Sequence, residues 1–142
     1  MLTVKRLDVD DANVLIDGAR AKAAEIDVPM CIAVTDESGS LIAFERMNGA
    51  KIPSVEIAID KSFTATGVRK GTHELQSASQ PGAPAYGISS TVGGRMVTIA
   101  GGLPVIAEEH VVGGIGVSSG TPAQDLAVAE AGVEALTATW AK

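Results

Sequence analysis

The sequence predicts a mixed α/β (α+β) domain on three observations. These are three stretches with apolar residues at helical spacing, two pairs of short apolar runs split by turn-forming residues, and one sharply signalled strand-to-helix junction. The paired runs are 30–35 with 41–47 and 103–107 with 111–117, and each break is short enough for a hairpin, so each pair is expected to be antiparallel. The junction lies in 101–125, GGLPVIAEEHVVGGIGVSSGTPAQD. Gly113, Gly114 and Gly116 weaken its second run as a strand and mark a bulge, or a place where another backbone or a ligand comes close. Beyond Val117 the chain turns through Ser118, Ser119 and Gly120 into a helix start. There Thr121 caps, Pro122 takes the first position and Gln124 completes a capping box.

Taken in order, a first helix is expected over 8–27, with Asp10 and Asp11 near its positive end and Ala12, Leu15, Ile16, Ala19, Ala23 and Ile26 as its buried stripe. Arg20, Lys22 and Glu25 form its solvated face, and Pro29 ends it. The run 30–35 is nearly continuously apolar, as in a strand covered on both faces, and Asp36-Glu37-Ser38-Gly39 is a hairpin turn. Residues 41–47 return as a strand that ends, unusually, in Glu45 and Arg46. A second helix over 53–69 turns Val55, Ala58, Ile59, Ser62 and Thr66 inward. Lys61, at the margin of that stripe, either covers apolar surface with its stem while its ammonium reaches water, or is partly desolvated and acts on a carboxylate or carbonyl. Thr72 caps a short helix holding His73 and Glu74, and 77–95, rich in Gly, Pro and Ser, reads as a loop folded back over the sheet. A further strand is a candidate at 96–100. The last helix, 122–140, buries Leu126, Ala129, Val133, Leu136 and Trp140.

Composition narrows the function. The 142 residues suit one domain over 1–142. A net charge of −6, a pI near 4.8 and only four aromatics, Phe44, Phe63, Tyr86 and Trp140, argue against nucleic acid and against anionic membranes as partners. Cys31 is alone in an apolar run and is expected to be a buried, inert thiol. No secretory h-region or membrane-length apolar run is present in the sequence, so a cytoplasmic location is expected. Gly114-x-Gly116 lies inside a strand with Ser119 at the third position, which is not a dinucleotide fingerprint. No lysine lies between Lys70 and Lys142 to make a phosphate-binding P-loop. Glu108-Glu109-His110 is no metal site either, because adjacent residues on a hairpin project in different directions.

Several motifs, in this order, resemble the GlcG/HbpS-like family, also known as DUF336, haem-degrading domain or PduO C-terminal-like proteins. They are Val34-Thr35-Asp36-Glu37-Ser38-Gly39, Phe44-Glu45-Arg46-Met47-Asn48-Gly49-Ala50, Ala58-Ile59-Asp60-Lys61-Ser62 with Thr64-Ala65, Gly101-Gly102-Leu103-Pro104-Val105, Gly113-Gly114-Ile115-Gly116-Val117-Ser118, and Gln124-Asp125. The resemblance spans nearly the whole chain. It implies a profilin-like fold with a largely antiparallel five-stranded sheet flanked by helices, haem binding or haem response in some members, and assembly into homo-oligomers. Where the family usually has Gly after the Ser of its GVSG stretch this chain has Ser119, and where it often has Lys-Ala this chain has Lys61-Ser62.

Three classes of function stay open. In a haem-binding module, His73 or His110, the two imidazoles, would be the axial ligand. In a lyase, hydratase or isomerase for an oxygenated acid or carbonyl compound, Arg46 would clamp a carboxylate, Lys61 or Glu74 would move a proton, and the 118–121 amides would hold an oxyanion. In a non-catalytic oligomeric sensor or accessory subunit, the surface would do the work. The exceptions to simple core patterning suggest one pocket for a carboxylate-bearing small molecule, a haem propionate or a small acid. It would be built by Arg46, Lys61, His73, Gly114, Gly116, Ser118, Ser119, Gly120 and Thr121, with Asp125 orienting a cation.

Overall fold

The computed structural model describes residues 1–141. Its order is α1 (Val9–Glu25), β1 (Cys31–Asp36), β2 (Leu41–Arg46), α2 (Ser54–Val68), a run of short 3-10 turns between Thr72 and Gly94, β3 (Gly102–Ala107), β4 (His110–Ser118) and α3 (Pro122–Trp140). The sheet has four strands in the order β2-β1-β4-β3, and every pairing is antiparallel. The central strand β1 is buried throughout, as its continuous apolar run predicts. α1 and α3 cover one face and form the larger core with Leu15, Ile32, Val34, Ile115, Val117 and Leu136. α2 covers the other, packing Ala58 onto Cys31 and Ala33. Cys31 is the buried thiol expected.

The expected fifth strand at 96–100 is absent. Its backbone groups are taken by side chains of the preceding elements: Thr64 Oγ1 donates to Arg95 O and accepts from Val97 N, and Thr72 Oγ1 donates to Ile99 O. With those groups engaged, the segment cannot pair along β3, whose outer edge stays open. The 77–95 excursion is likewise fastened to α2 rather than folded over the sheet. Arg95 Nε donates to Asp60 Oδ1 at 2.9 Å, and its guanidinium lies 3.8 Å from the centre of the Phe63 ring.

α1 and α3 start within a residue of their expected positions, but of their two caps only that of α3 was expected. Asp8 caps α1 in a reciprocal box with Asp11, and Thr121 caps α3 in a box with Gln124, with Pro122 in the first turn. The stripe of α3 is rotated from the expected one: Asp125, Val128, Ala129, Gly132 and Leu136 are buried, while Trp140 is exposed. Close helix packing accounts for the rotation. A Cβ on Gly132 would lie 2.8 Å from Leu15 O of α1, so α3 turns its smallest residue to that contact. Thr72 is not a cap. Gly71 holds that position, and Thr72 is buried with its hydroxyl bonded to Ile99 O and Gly102 N.

Replacement Thr121→Ala is expected to lower stability by about 1 kcal/mol through loss of the α3 cap, read from denaturant midpoints. Identical midpoints would show that the Gln124 amide finds another acceptor.

Candidate functional site

The strand-to-helix junction does bind an anion, and the anion belongs to the protein. Asp125, 3% exposed, accepts from Gly120 N through Oδ1 (2.9 Å) and from Lys61 Nζ through Oδ2 (2.8 Å). Lys61, 1% exposed, also donates to Val117 O at 2.9 Å. Of the two alternatives drawn from the sequence, the desolvated lysine agrees with this geometry, but its carboxylate and carbonyl are internal, and Asp125 is its orienting partner. Its ammonium reaches no water, and it faces an internal carboxylate. Burial pushes the Lys61 ammonium down from its ordinary value and the Asp125 carboxyl up, and the attraction between the two opposes both shifts. Two more amides of the junction are also engaged: Thr121 N donates to Gln124 Oε1 and Gln124 N to Thr121 Oγ1. The free amides expected for an oxyanion at Gly120 and Thr121 are therefore occupied.

The strand glycines serve a backbone and leave no space for a ligand within the subunit. A Cβ on Gly116 would overlap Ala58 O, and one on Gly114 would overlap Thr66 Oγ1, so α2 presses directly onto β4 at both positions. Gly101, at φ +127, makes room in the same way for the ion pair: a Cβ there would sit 2.8 Å from Lys61 Nζ.

The sheet register does bring Arg46 to the junction's end of the molecule. Cys31 pairs with Arg46 on one side and Ser118 on the other, so the three side chains point to the α2 face in one row. Two strand spacings, about 10 Å, separate Arg46 from Ser118. Burial pushes the Cys31 thiol up and the Arg46 charge opposes it, as their closeness requires. Ser118 Oγ donates to Ser54 Oγ at the start of α2, and Ser119 Oγ accepts from Lys51 N at 2.9 Å. Arg46 is exposed and, with Met47 and Asn48, borders an open depression of about 510 Å³ whose other wall is the Arg20–Glu45 pair.

His73 and Glu74 do not join this group within one subunit. They follow the C-terminal end of α2, whereas Ser54, Ser118 and Lys51 cluster at its start, and a helix of 15 residues puts about 20 Å between the two ends. Glu74 Oε2 accepts from Gly71 N at 2.8 Å, and His73 is exposed.

A family model described as haem degrading protein HbpS-like matches residues 7–134. The chain belongs to the HbpS-like family. It is similar to the 15.0 kDa protein of the dhaT-dhaS intergenic region of Citrobacter freundii, at 42% identity over 123 residues and 87% of each chain. Its fold matches Klebsiella pneumoniae protein ORFY with a TM-score of 0.96 and 35% identity, covering 97% of this chain and 95% of that one. The PduOC:Heme complex matches with a TM-score of 0.89 and 33% identity, covering 92% and 94%.

Within this HbpS-like fold the sequence reading missed Lys51 and Ser54, which the register places against Ser119 and Ser118. Their signal was faint: a lysine and a serine in the short link between a strand and a helix. Ser119 itself adopts φ +116, a region that favours glycine, and its hydroxyl holds Lys51 N in return.

Asp125→Asn leaves the buried Lys61 ammonium without a counter-charge and is expected to cost about 3–5 kcal/mol in chemical denaturation. Gly116→Ala should cost about 1–3 kcal/mol by lifting α2 from β4, and a wild-type midpoint would show that the helix shifts freely.

Proposed function

We propose that this HbpS-like chain is a ligand-binding protein for haem or a related tetrapyrrole, with the carboxylates of the ligand taken at the Arg46 end of the molecule. The observation that carries the reading is the match to the PduOC:Heme complex, at 33% identity over 92% of this chain. The residues at hand fit such a group. Arg46 and Lys51 are exposed cations at one end of an acidic chain, and neither has an ion-pair partner among the described residues. A carboxylate-bearing ligand suits them, and the depression beside Arg46 falls in the usual size range of ligand sites.

Ser118, Ser119, Gly120 and Thr121 do not line that depression; they lie across β1 from Arg46, braced from inside by Asp125 and Lys61. Haem, when bound, would supply an iron centre, and the exposed His73 imidazole would be the residue to hold it. His73 sits at the far end of α2, so it reaches a ligand held by Arg46 only from a second copy. The proposal therefore includes a homo-oligomer. The reading as a lyase, hydratase or isomerase is less well supported, because its two proton carriers are engaged: Lys61 with Asp125, and Glu74 with Gly71 N.

Haem titration should give a saturable Soret band. Arg46→Ala should weaken binding about tenfold or more, equivalent to about 1.4 kcal/mol, with stability within about 0.5 kcal/mol of wild type. His73→Ala should move the Soret band, and solution mass should exceed that of a monomer. Unsaturable absorbance would remove the haem reading. Unaltered binding by the Arg46 variant would move the site elsewhere, and a lone monomer at micromolar concentration would rule out the shared axial ligand.

A further inference from the structure

A second cleft lies at the opposite end of α2 from Arg46. Of about 270 Å³, it is lined by Lys5 from the N-terminal segment, Glu37 from the β1–β2 turn, Thr66 and Arg69 from the end of α2, and Glu109 and His110 from the β3–β4 hairpin. Two of its charges are neutralised internally. Arg6 grips Glu37 with Nε at 2.7 Å and Nη2 at 2.5 Å, and Lys5 pairs with Glu108. Arg69 and Glu109 have no ion-pair partner among the described residues, so the cleft presents one free cation and one free anion.

His110 adds a third group of defined chemistry. Its Nδ1 lies 2.8 Å from Glu108 O, and a carbonyl oxygen only accepts, so Nδ1 carries the proton. In the neutral ring Nε2 is then a lone pair, ready to accept. The floor is polar as well: buried Thr66 shares a hydrogen bond with Thr35 at 3.1 Å.

Backbone geometry singles out the same place. Six non-glycine residues among those described have positive φ, and three of them border or adjoin this cleft: Arg69 (φ 62), Glu108 (φ 49) and Glu109 (φ 67). Two-residue hairpin turns of this hand ordinarily take Asn-Gly or Asp-Gly. Two adjacent glutamates there oppose both backbone preference and charge repulsion, and strain of this kind collects where side chains are used.

We infer that this cleft is a binding site for a small zwitterion of amino-acid size, with its carboxylate on Arg69 and its ammonium on Glu109 and His110 Nε2. A single free charge of each sign matches a ligand carrying both. A plain carboxylic acid would leave Glu109 unanswered in the filled cleft, and a plain amine would leave Arg69 so. This site shares no residue with the haem proposal, so either can fail alone.

The test is nuclear magnetic resonance titration of the full chain with alanine, β-alanine and γ-aminobutyrate, and with propionate and ethylamine as single-charge counterparts. Concentrations of about 10 mM saturate a site of millimolar affinity. At least one zwitterion is expected to give saturable shifts confined to the amides around Thr66, Arg69 and His110, with the single-charge compounds about tenfold weaker or worse. Arg69→Gln and Glu109→Gln, both at exposed positions, should each weaken the zwitterion about tenfold and leave haem titration unchanged. The inference is overturned if no zwitterion saturates, if propionate binds as tightly as the amino acids, or if Glu109→Gln has no effect.

Discussion

Lys61 and Asp125 are two charges taken out of water, and the arrangement of the layers around them follows from what that costs. Desolvating an ammonium and a carboxylate is worth several kcal/mol per ion, offset only where geometry and further hydrogen bonds are good. Here Val117 O and Gly120 N supply those bonds, one from the end of β4 and one from the turn into α3. The pair thereby joins α2, on one face of the sheet, to α3 on the other, around the end of the β3–β4 pair. That joint tolerates no Cβ at Gly101, which explains a glycine at φ +127 immediately before an edge strand.

The same pressing together of α2 and β4 explains the glycines of the strand. Ala58 O and Ser62 N occupy the space that a side chain at Gly116 would fill, and Thr66 Oγ1 the space at Gly114. At this separation the apolar contact of α2 is confined to Ala58, Val55 and Ile59, and its polar residues meet the sheet directly. Ser62 and Thr66 bond to the Thr35 hydroxyl across the contact, and no buried side-chain polar atom among the described residues lacks a partner. A polar seam thus runs beside the small apolar cluster of Cys31, Ala33 and Ala58 on this face.

This seam marks the limit of what could be read from the residues. The helix capped by Thr121, the two hairpins and the apolar run 30–35 all rest on local rules, so they were legible; the Asp8 cap rests on the same rules and went unread. The missing fifth strand was not, because Thr64 and Thr72 are ordinary helix-end residues until the fold carries 95–102 past them. Of the proposed site, the row Arg46–Cys31–Ser118 depends on the first hairpin, which local patterning anticipates, and on the long-range β1–β4 register, which it does not. The separation of His73 from that row depends on the direction of α2, and residue spacing carries no information about it.

Helix starts are natural anion sites, and the anticipated pocket relied on that property. In this chain the property is already used: Asp125, three residues into α3, folds back onto the junction and brings Lys61 with it. An external carboxylate would have to displace a buried internal one that already has two hydrogen bonds. Among the described residues the cations without an ion pair stayed outside, Arg46 and Lys51 at one end of α2 and Arg69 and Lys70 at the other. The cations open to a ligand thus sit at the two ends of a single helix, whose middle is committed to holding the sheet.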